Sequence, residues 1–327
     1  MIAGFVYFKY NCPYVFKIVM EEGLVIKSTG SWYTVVIREG EIVNARLRGK
    51  LRMKGIRTTN PVAVGDWVKV VFERGSWSIC GIKERRNYII RRSANLSKEA
   101  HVVAANLDVA VLIATLAHPV TSTVFIDRFL ASVEAYGIPA VLIFNKVDLY
   151  DEAERERLED YTELYGRIGY KVLHTSVVTG EGIDEMKEVL KNGITVLSGI
   201  SGVGKSSLIN AVEPGLSLKT AIISEAYDTG KHTTTFAEMF RLSFGGFIVD
   251  TPGLRSFGNF DMKRAEISHY FPEMFKVSDN CRFHNCVHVD EPGCAVLEAV
   301  GKGEIAESRY MSYLNMLEEE ATGSKYR

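Results

Sequence analysis

The sequence predicts a multidomain α/β chain with three parts: a small N-terminal β-barrel, an open sheet of parallel strands wrapped by helices, and a short helical region organised around cysteine and histidine. Three observations carry this. Residues 24–90 hold short strand-type runs cut by glycines, with no helical period. From Asn106 onward, continuous apolar strands alternate with stretches of helical spacing. Three of the five cysteines fall within residues 281–294, with two histidines among them.

The barrel rests on five runs, LVIKST, WYTVVI, IVNARL, DWVKVVF and SICGIK, punctuated by Gly40, Gly49, Gly65 and Gly75. About five short strands of this kind fit an OB-fold, with an SH3-like barrel as the competing closure. The segment is also basic. Residues 20–98 carry 16 Lys/Arg against 7 Asp/Glu, in a chain whose net charge is −1. One basic end on a near-neutral chain suits a local polyanion surface, nucleic acid first. Within ARLRGKLR, Arg46, Arg48, Lys50 and Arg52 occupy alternate positions and share one strand face. They are the candidate RNA contacts. The plainer reading is a solvated edge strand that deters aggregation.

LDVAVLIATL and PAVLIFN read as parallel strands covered on both faces, and VFIDRFLASVEAYG between them reads as a helix ending at Gly137. DEAERERLEDYTELYGRIG is a charged surface helix, followed by the strand YKVLHTS. The alternation resumes with GITVLS, a helix from Lys205, and the strand GFIVD.

GISGVGKS matches G-x-x-x-x-G-K-[ST], and its context is right: the strand Ile194–Ser198 precedes it and a helix follows. Backbone N–H groups of Gly199, Ile200, Ser201, Gly202, Val203 and Gly204, continued by Lys205, Ser206 and Ser207, are expected to cradle the phosphates. The helix N-terminus adds a favourable dipole. Lys205 reaches the β/γ oxygens and the Ser206 hydroxyl binds Mg²⁺. In NKVD, Asn145, Lys146, Val147 and Asp148 sit at the C-terminal end of a buried strand, where open α/β sheets bind ligands. A carboxylate pairs with guanine N1–H and N2–H₂, whereas adenine leaves it unpaired. Guanine is therefore the expected base, and an ATP-using kinase is disfavoured. HTSVVTGEG supplies the last guanine loop, anchored by Ser176.

Downstream, Asp250 of VDTPG is placed to hold Mg²⁺ through water, and the Gly253 N–H to face the γ-phosphate. Among Thr233, Thr234 and Thr235 of GKHTTT, Thr234 is taken as the second Mg²⁺ hydroxyl. The position after DTPG that carries a water-orienting Gln in Ras-like enzymes is Leu254 here, which cannot hydrogen-bond to water. His232 is the nearest substitute in sequence and can orient or deprotonate water; its plainer role is a loop histidine or an RNA contact.

The usual order of these elements is phosphate loop, switch I, DxxG, NKxD. Here NKVD and TSV come first. Cutting a GTPase sheet between DxxG and NKxD and joining the old ends gives this order, so the domain is read as a circularly permuted P-loop GTPase domain. RGKLR, NKVDL, GISGVGKSSLIN, GKHTTT, DTPG and CRFHNCVHVDEPGCAV, in that order, resemble the circularly permuted GTPases of the YjeQ/RsgA family. The resemblance runs from about Gly23 to Tyr310. It implies an OB-fold, a permuted GTPase domain and a zinc domain. It also implies GTP hydrolysis coupled to binding the 30S subunit in its late maturation, and it points to the same switch-I histidine. Val177 stands where the family usually has Ala, and Lys231 where Arg is common.

Cys281, Cys286, His288 and Cys294 follow C-x₄-C-x-H-x₅-C, a closed three-thiolate, one-imidazole set suited to one structural Zn²⁺. His284 is an alternative ligand in the same loop. The expected division is an extension over 1–22, the OB-fold RNA-binding domain over 23–95, the permuted GTPase domain over 96–260 and a C-terminal zinc-binding α-helical domain over 261–327. Composition adds exclusions: no apolar run reaches a membrane span, no secretory leader is expected, and the cysteine pattern argues against a disulfide framework. A cytoplasmic monomer is expected, with GTP/GDP, the 30S subunit and its 16S rRNA as partners and no membrane. The rival is a GTP-gated RNA-binding scaffold whose hydrolysis is incidental.

Overall fold

The computed structural model describes residues 19–48, 61–92, 100–216, 237–250 and 262–322. Strands β1 (Val19–Ser28), β2 (Tyr33–Val36), β3 (Ile42–Leu47), β4 (Trp67–Glu73) and β5 (Ser76–Ile82) form the barrel in the order β1-β2-β3-β5-β4, closed by β1 pairing with β4. Every pairing is antiparallel except β3 with β5. This closure is that of an OB-fold rather than an SH3-like barrel. In β3 the alternation is direct: Val43 and Ala45 point inward, Ile42, Asn44 and Arg46 outward. The interior is filled by Val25, Tyr33, Val35, Val68, Val70 and Ile79. β1 serves two partners, β4 up to Leu24 and β2 from Leu24. Gly23 sits at that handover, where a Cβ would lie 2.5 Å from Val35 Cγ1.

An antiparallel pair, β6 (Tyr88–Arg92) and β7 (Ala100–Ala105), leads into the second sheet. That sheet is ordered β10 (Lys171–Thr175), β9 (Ala140–Asn145), β8 (Val109–Ala114), β11 (Ile194–Ser198), β13 (Phe247–Asp250), β12 (Glu238–Arg241). All neighbours are parallel except β12. β8 and β9 are buried along nearly their whole length, as strands with both faces covered must be. Helices α1 (Thr123–Ala135), α2 (Glu152–Ile168), α3 (Ile183–Leu190) and α4 (Lys205–Val212) supply the cover. Ser122 caps α1, and Asp151 with Glu154 forms a reciprocal capping box on α2. The junction the permutation requires is short: α3 ends at Leu190 and β11 begins at Ile194.

The C-terminal part contains α5 (Pro272–Ser278), α6 (Ala295–Gly301) and α7 (Glu307–Thr322). It shares a core with α1 through Ala131, Phe271, Met274 and Tyr313. Among the described residues no helix is long and apolar enough to cross a membrane.

Candidate nucleotide site and metal centre

β8, β9, β10 and β11 end together at one edge of the parallel sheet, so Ala114, Asn145, Thr175 and Ser198 face a common crevice. The glycine-rich loop leaves β11 and enters α4 at Lys205. Lys205 Nζ donates to Gly199 O (2.6 Å) and Ile200 O (2.9 Å), curling over its own loop. Gly204 has φ +92°, and a Cβ there would lie 2.5 Å from Asn145 Nδ2. Only glycine lets the loop approach the end of β9 so closely.

That approach has a purpose. Buried Asn145 donates from Nδ2 to Val203 O (2.8 Å) and accepts at Oδ1 from Thr175 Oγ1 (3.0 Å). One amide thus ties together the glycine-rich loop and the ends of β9 and β10. Lys146, in the left-handed region at φ +63°, sends Nζ to Gly202 O and His118 O, both 2.7 Å away. Val147 is buried in the core, so only its backbone faces the site. Asp148 accepts from Ser176 Oγ (2.5 Å), and the same hydroxyl accepts from Val178 N (3.2 Å) and Thr179 N (3.1 Å). The Ser176 loop therefore orients the Asp148 carboxylate at the end of β9. Tyr150 completes the frame: its hydroxyl donates to Asn145 O (2.8 Å) and accepts from Leu116 N (2.9 Å). Burial pushes that phenol up to about 12, so it stays neutral. Ser206 lies half-buried in the first turn of α4, Ser201 and Ser207 are exposed, and the Val203 side chain is in the core.

Asp250 ends β13, and Arg46 lies on the barrel's outer face with its guanidinium 4.0 Å from the Trp32 ring centre. Arg48 is ion-paired with Glu73 at 3.4 Å; this partner was not apparent from the local sequence. Lys50, Arg52, His232, Thr233, Thr234, Thr235, Gly253 and the Asp250 side chain lie outside the described residues.

Cys281, Cys286, His288 and Cys294 do converge. Their four donor atoms lie within 4.8 Å of one another. His288 Nδ1 is 3.4 Å from Cys294 Sγ and 3.6 Å from Cys281 Sγ, and those two sulfurs are 4.0 Å apart. A tetrahedral zinc with Zn–S near 2.3 Å and Zn–N near 2.0 Å spaces its ligand atoms by roughly 3.4–3.8 Å. The donor set therefore fits a metal ion. Burial pushes the Cys286 thiol up to about 12 and raises Cys294 as well. A divalent cation reverses that preference by stabilising the thiolates. His284 is exposed and outside the cluster.

Sequence reasoning missed what holds this loop. Glu291 accepts from Val287 N (2.7 Å), Val289 N (2.9 Å) and Asp290 N (3.3 Å). Tyr310 and Tyr313 donate to His288 O (2.8 Å) and Val287 O (2.6 Å). It also missed Arg309, fully buried at an apolar-face position of α7. Arg309 bonds Asp127 of α1 (2.8 Å) and Glu273 of α5 (2.7 Å). The available signal was one arginine in step with Ile305, Tyr313 and Met316.

A five-stranded barrel joined to a P-loop sheet with its guanine-type loops placed first defines a circularly permuted GTPase with a cysteine-rich C-terminal region. The comparisons agree. Residues 82–260 match the RsgA GTPase family and residues 22–78 the RsgA N-terminal domain. The small ribosomal subunit biogenesis GTPase RsgA of Bacteroides fragilis is 55% identical over 307 residues, covering 94% of this chain and 99% of the relative. Its namesake in Flavobacterium johnsoniae is 51% identical over 300 residues, covering 90% and 92%. Among solved structures, YjeQ from Thermotoga maritima aligns with TM-score 0.76 and 38% identity, over 94% of this chain and all of that one. YloQ, described as a circularly permuted GTPase, gives TM-score 0.73 and 30% identity, covering 94% and 97%. The chain belongs to the RsgA family of GTPases.

Proposed function

We propose that this chain, whose relatives are named small ribosomal subunit biogenesis GTPases, hydrolyses GTP while bound to the small ribosomal subunit and acts in that subunit's late maturation. The observation that carries the reading is the Asn145 staple, which sets the glycine-rich loop and the Asp148–Ser176 pair in one crevice. In this reading the guanine edge pairs with Asp148, and the Lys146 stem covers the base. The backbone of residues 199–207 and Lys205 hold the phosphates. Mg²⁺, held by Ser206 and Thr234 with Asp250 behind it, neutralises phosphate charge. The Gly253 N–H faces the γ-phosphate, and His232 orients or deprotonates the attacking water.

Zn²⁺ is the metal assigned to Cys281, Cys286, His288 and Cys294, in a structural role because all four positions are protein ligands. The barrel, taken as residues 23–95, docks on 16S rRNA. Its support among the described residues is outward-facing Arg46 with its guanidinium over the Trp32 ring; Lys50 and Arg52, at alternate positions in the sequence, are assigned to the same contact. Arg48 joins only by exchanging Glu73 for phosphate. The GTPase domain is assigned to 96–260 and the zinc domain to 261–327, in a cytoplasmic monomer.

The deciding measurement is single-turnover GTP hydrolysis with and without purified 30S subunits. We expect kcat to rise strongly with the subunit. His232→Ala should retain GTP and 30S binding while stimulated kcat falls by about 10²-fold, the size of a lost general base. A subunit that raises GTP affinity but not kcat would favour the scaffold reading. Full stimulated turnover in His232→Ala would move the catalytic role elsewhere.

A further inference from the structure

Between β8 and α1 the chain makes a compact loop, Thr115 to Thr121. Its neck is closed by two buried threonines. Thr121 N donates to Thr115 O (2.8 Å), Thr115 N donates to Thr121 Oγ1 (3.1 Å), and Thr115 Oγ1 donates to Pro119 O. Tyr150 fastens the loop to the end of β9 through Leu116 N and Asn145 O. The tip presents His118 O to Lys146 Nζ at 2.7 Å, and Lys146 spans from there to Gly202 O. Pro119 Cδ lies 3.3 Å from where a Gly202 Cβ would stand. The loop thus touches both halves of the crevice, through Lys146 on one side and the glycine-rich loop on the other.

We propose that Thr115 and Thr121 are positioning residues for nucleotide binding: they fix the His118 carbonyl so that Lys146 is held in its base-covering position before the nucleotide arrives. The inference rests on the guanine-nucleotide reading of this crevice. A lysine stem has four rotatable bonds and loses rotamer freedom when fixed. Two carbonyl acceptors set in a closed frame meet that cost in the free protein, which leaves more of the contact energy for the ligand. Among the described residues His118 makes its contact through its carbonyl, so the proposal leaves its imidazole dispensable.

The test is a double-mutant cycle on the full chain, read by binding and release of fluorescently labelled GDP. Thr115→Val keeps the shape and removes the donor to Pro119 O. It should raise the GDP Kd about tenfold, mainly through faster release. Thr115→Ser restores the donor and should return near wild type. His118→Asn, which tolerates the positive φ, should bind GDP normally. In a Lys146→Met background, already weakened, Thr115→Val should add less than twofold. An equal penalty in both backgrounds, or no penalty in either, overturns the inference. If Thr115→Val does not fold, Pro119→Gly loosens the same carbonyl frame and is read in the same cycle. Failure of the wild type to bind GDP would instead overturn the nucleotide reading itself.

Discussion

Asp148 is the carboxylate at the base end of the crevice that the Ser176 hydroxyl orients, at 2.5 Å. In the proposed reading, two charge-assisted hydrogen bonds to a guanine edge, each worth about 1.5–3 kcal/mol, would make Asp148 the strongest single determinant of base choice. Asp148→Asn should weaken GTP binding by at least about 10²-fold and gain xanthosine triphosphate, whose C2 oxygen accepts from the new amide. Competition of GTP, ATP and XTP against labelled GDP reads both changes. Equal binding of ATP and GTP by the wild type would end the guanine assignment. Val177 and Val178 flank this position and are exposed. Ser176 acts through its hydroxyl and backbone, so this anchor does not depend on the Val177 side chain.

At the scale of an element, the loop between α5 and α6 folds around a carboxylate as well as a metal cluster. Burial pushes the Glu291 carboxyl up, but backbone N–H donors led by Val287 and Val289 outweigh it and hold the group down at about 2, from about 4.5 when free. The unfolded chain therefore takes up a proton below about pH 4.5 that the folded loop refuses until about pH 2. The stability Glu291 contributes is fully present above pH 4.5 and is lost as pH falls through that window. Glu291→Gln should lower the melting temperature of the C-terminal region at pH 7, and the gap to wild type should narrow between pH 5 and pH 3. A gap independent of pH would mean the carboxylate charge is not what holds the loop.

At the scale of the molecule, each junction between the three parts combines apolar packing with ion pairs. The barrel meets the GTPase part where Leu24 and Val64 join the apolar core of Ala104, Leu107 and Phe129, where Ala105 N donates to Val64 O (2.9 Å) and Asn106 Nδ2 to Gly65 O (2.9 Å), and where β1 pairs with β12 beside the half-exposed Lys27–Glu238 ion pair (3.0 Å). Such a pair contributes at most about 1 kcal/mol. The metal-bearing region is held by the apolar core it shares with α1, by the Arg128–Glu319 ion pair, and by Arg309, buried between Asp127 and Glu273, with Tyr165 donating to the same Asp127 oxygen (2.8 Å). Removing one member of a buried ion pair strands the other charge and costs roughly 3–5 kcal/mol. Arg309→Met should therefore release residues 262–322 to protease while GDP binding survives, because the nucleotide crevice lies at the strand ends and not on this face of α1. A C-terminal region that stays protected would show that apolar packing around Phe271 and Tyr313 suffices.

The sequence by itself determined the parts whose chemistry is local. A phosphate loop, a four-residue guanine motif and a Cys₃His set each need particular residue types at fixed spacing, and their inverted order already required a permuted sheet. The barrel strands were equally legible, because a half-buried strand alternates and this one alternates residue by residue. Only the tertiary structure decided what brings those parts together. OB-type closure depends on a parallel pairing of β3 with β5, which no period announces. Asn145 reaches Val203 across 58 positions, Arg309 reaches Asp127 across 182, and Lys146 reaches the His118 carbonyl across 28. Such contacts leave no spacing to read, since a hydrogen bond between buried polar groups is set by where two elements pack and not by how far apart they lie along the chain.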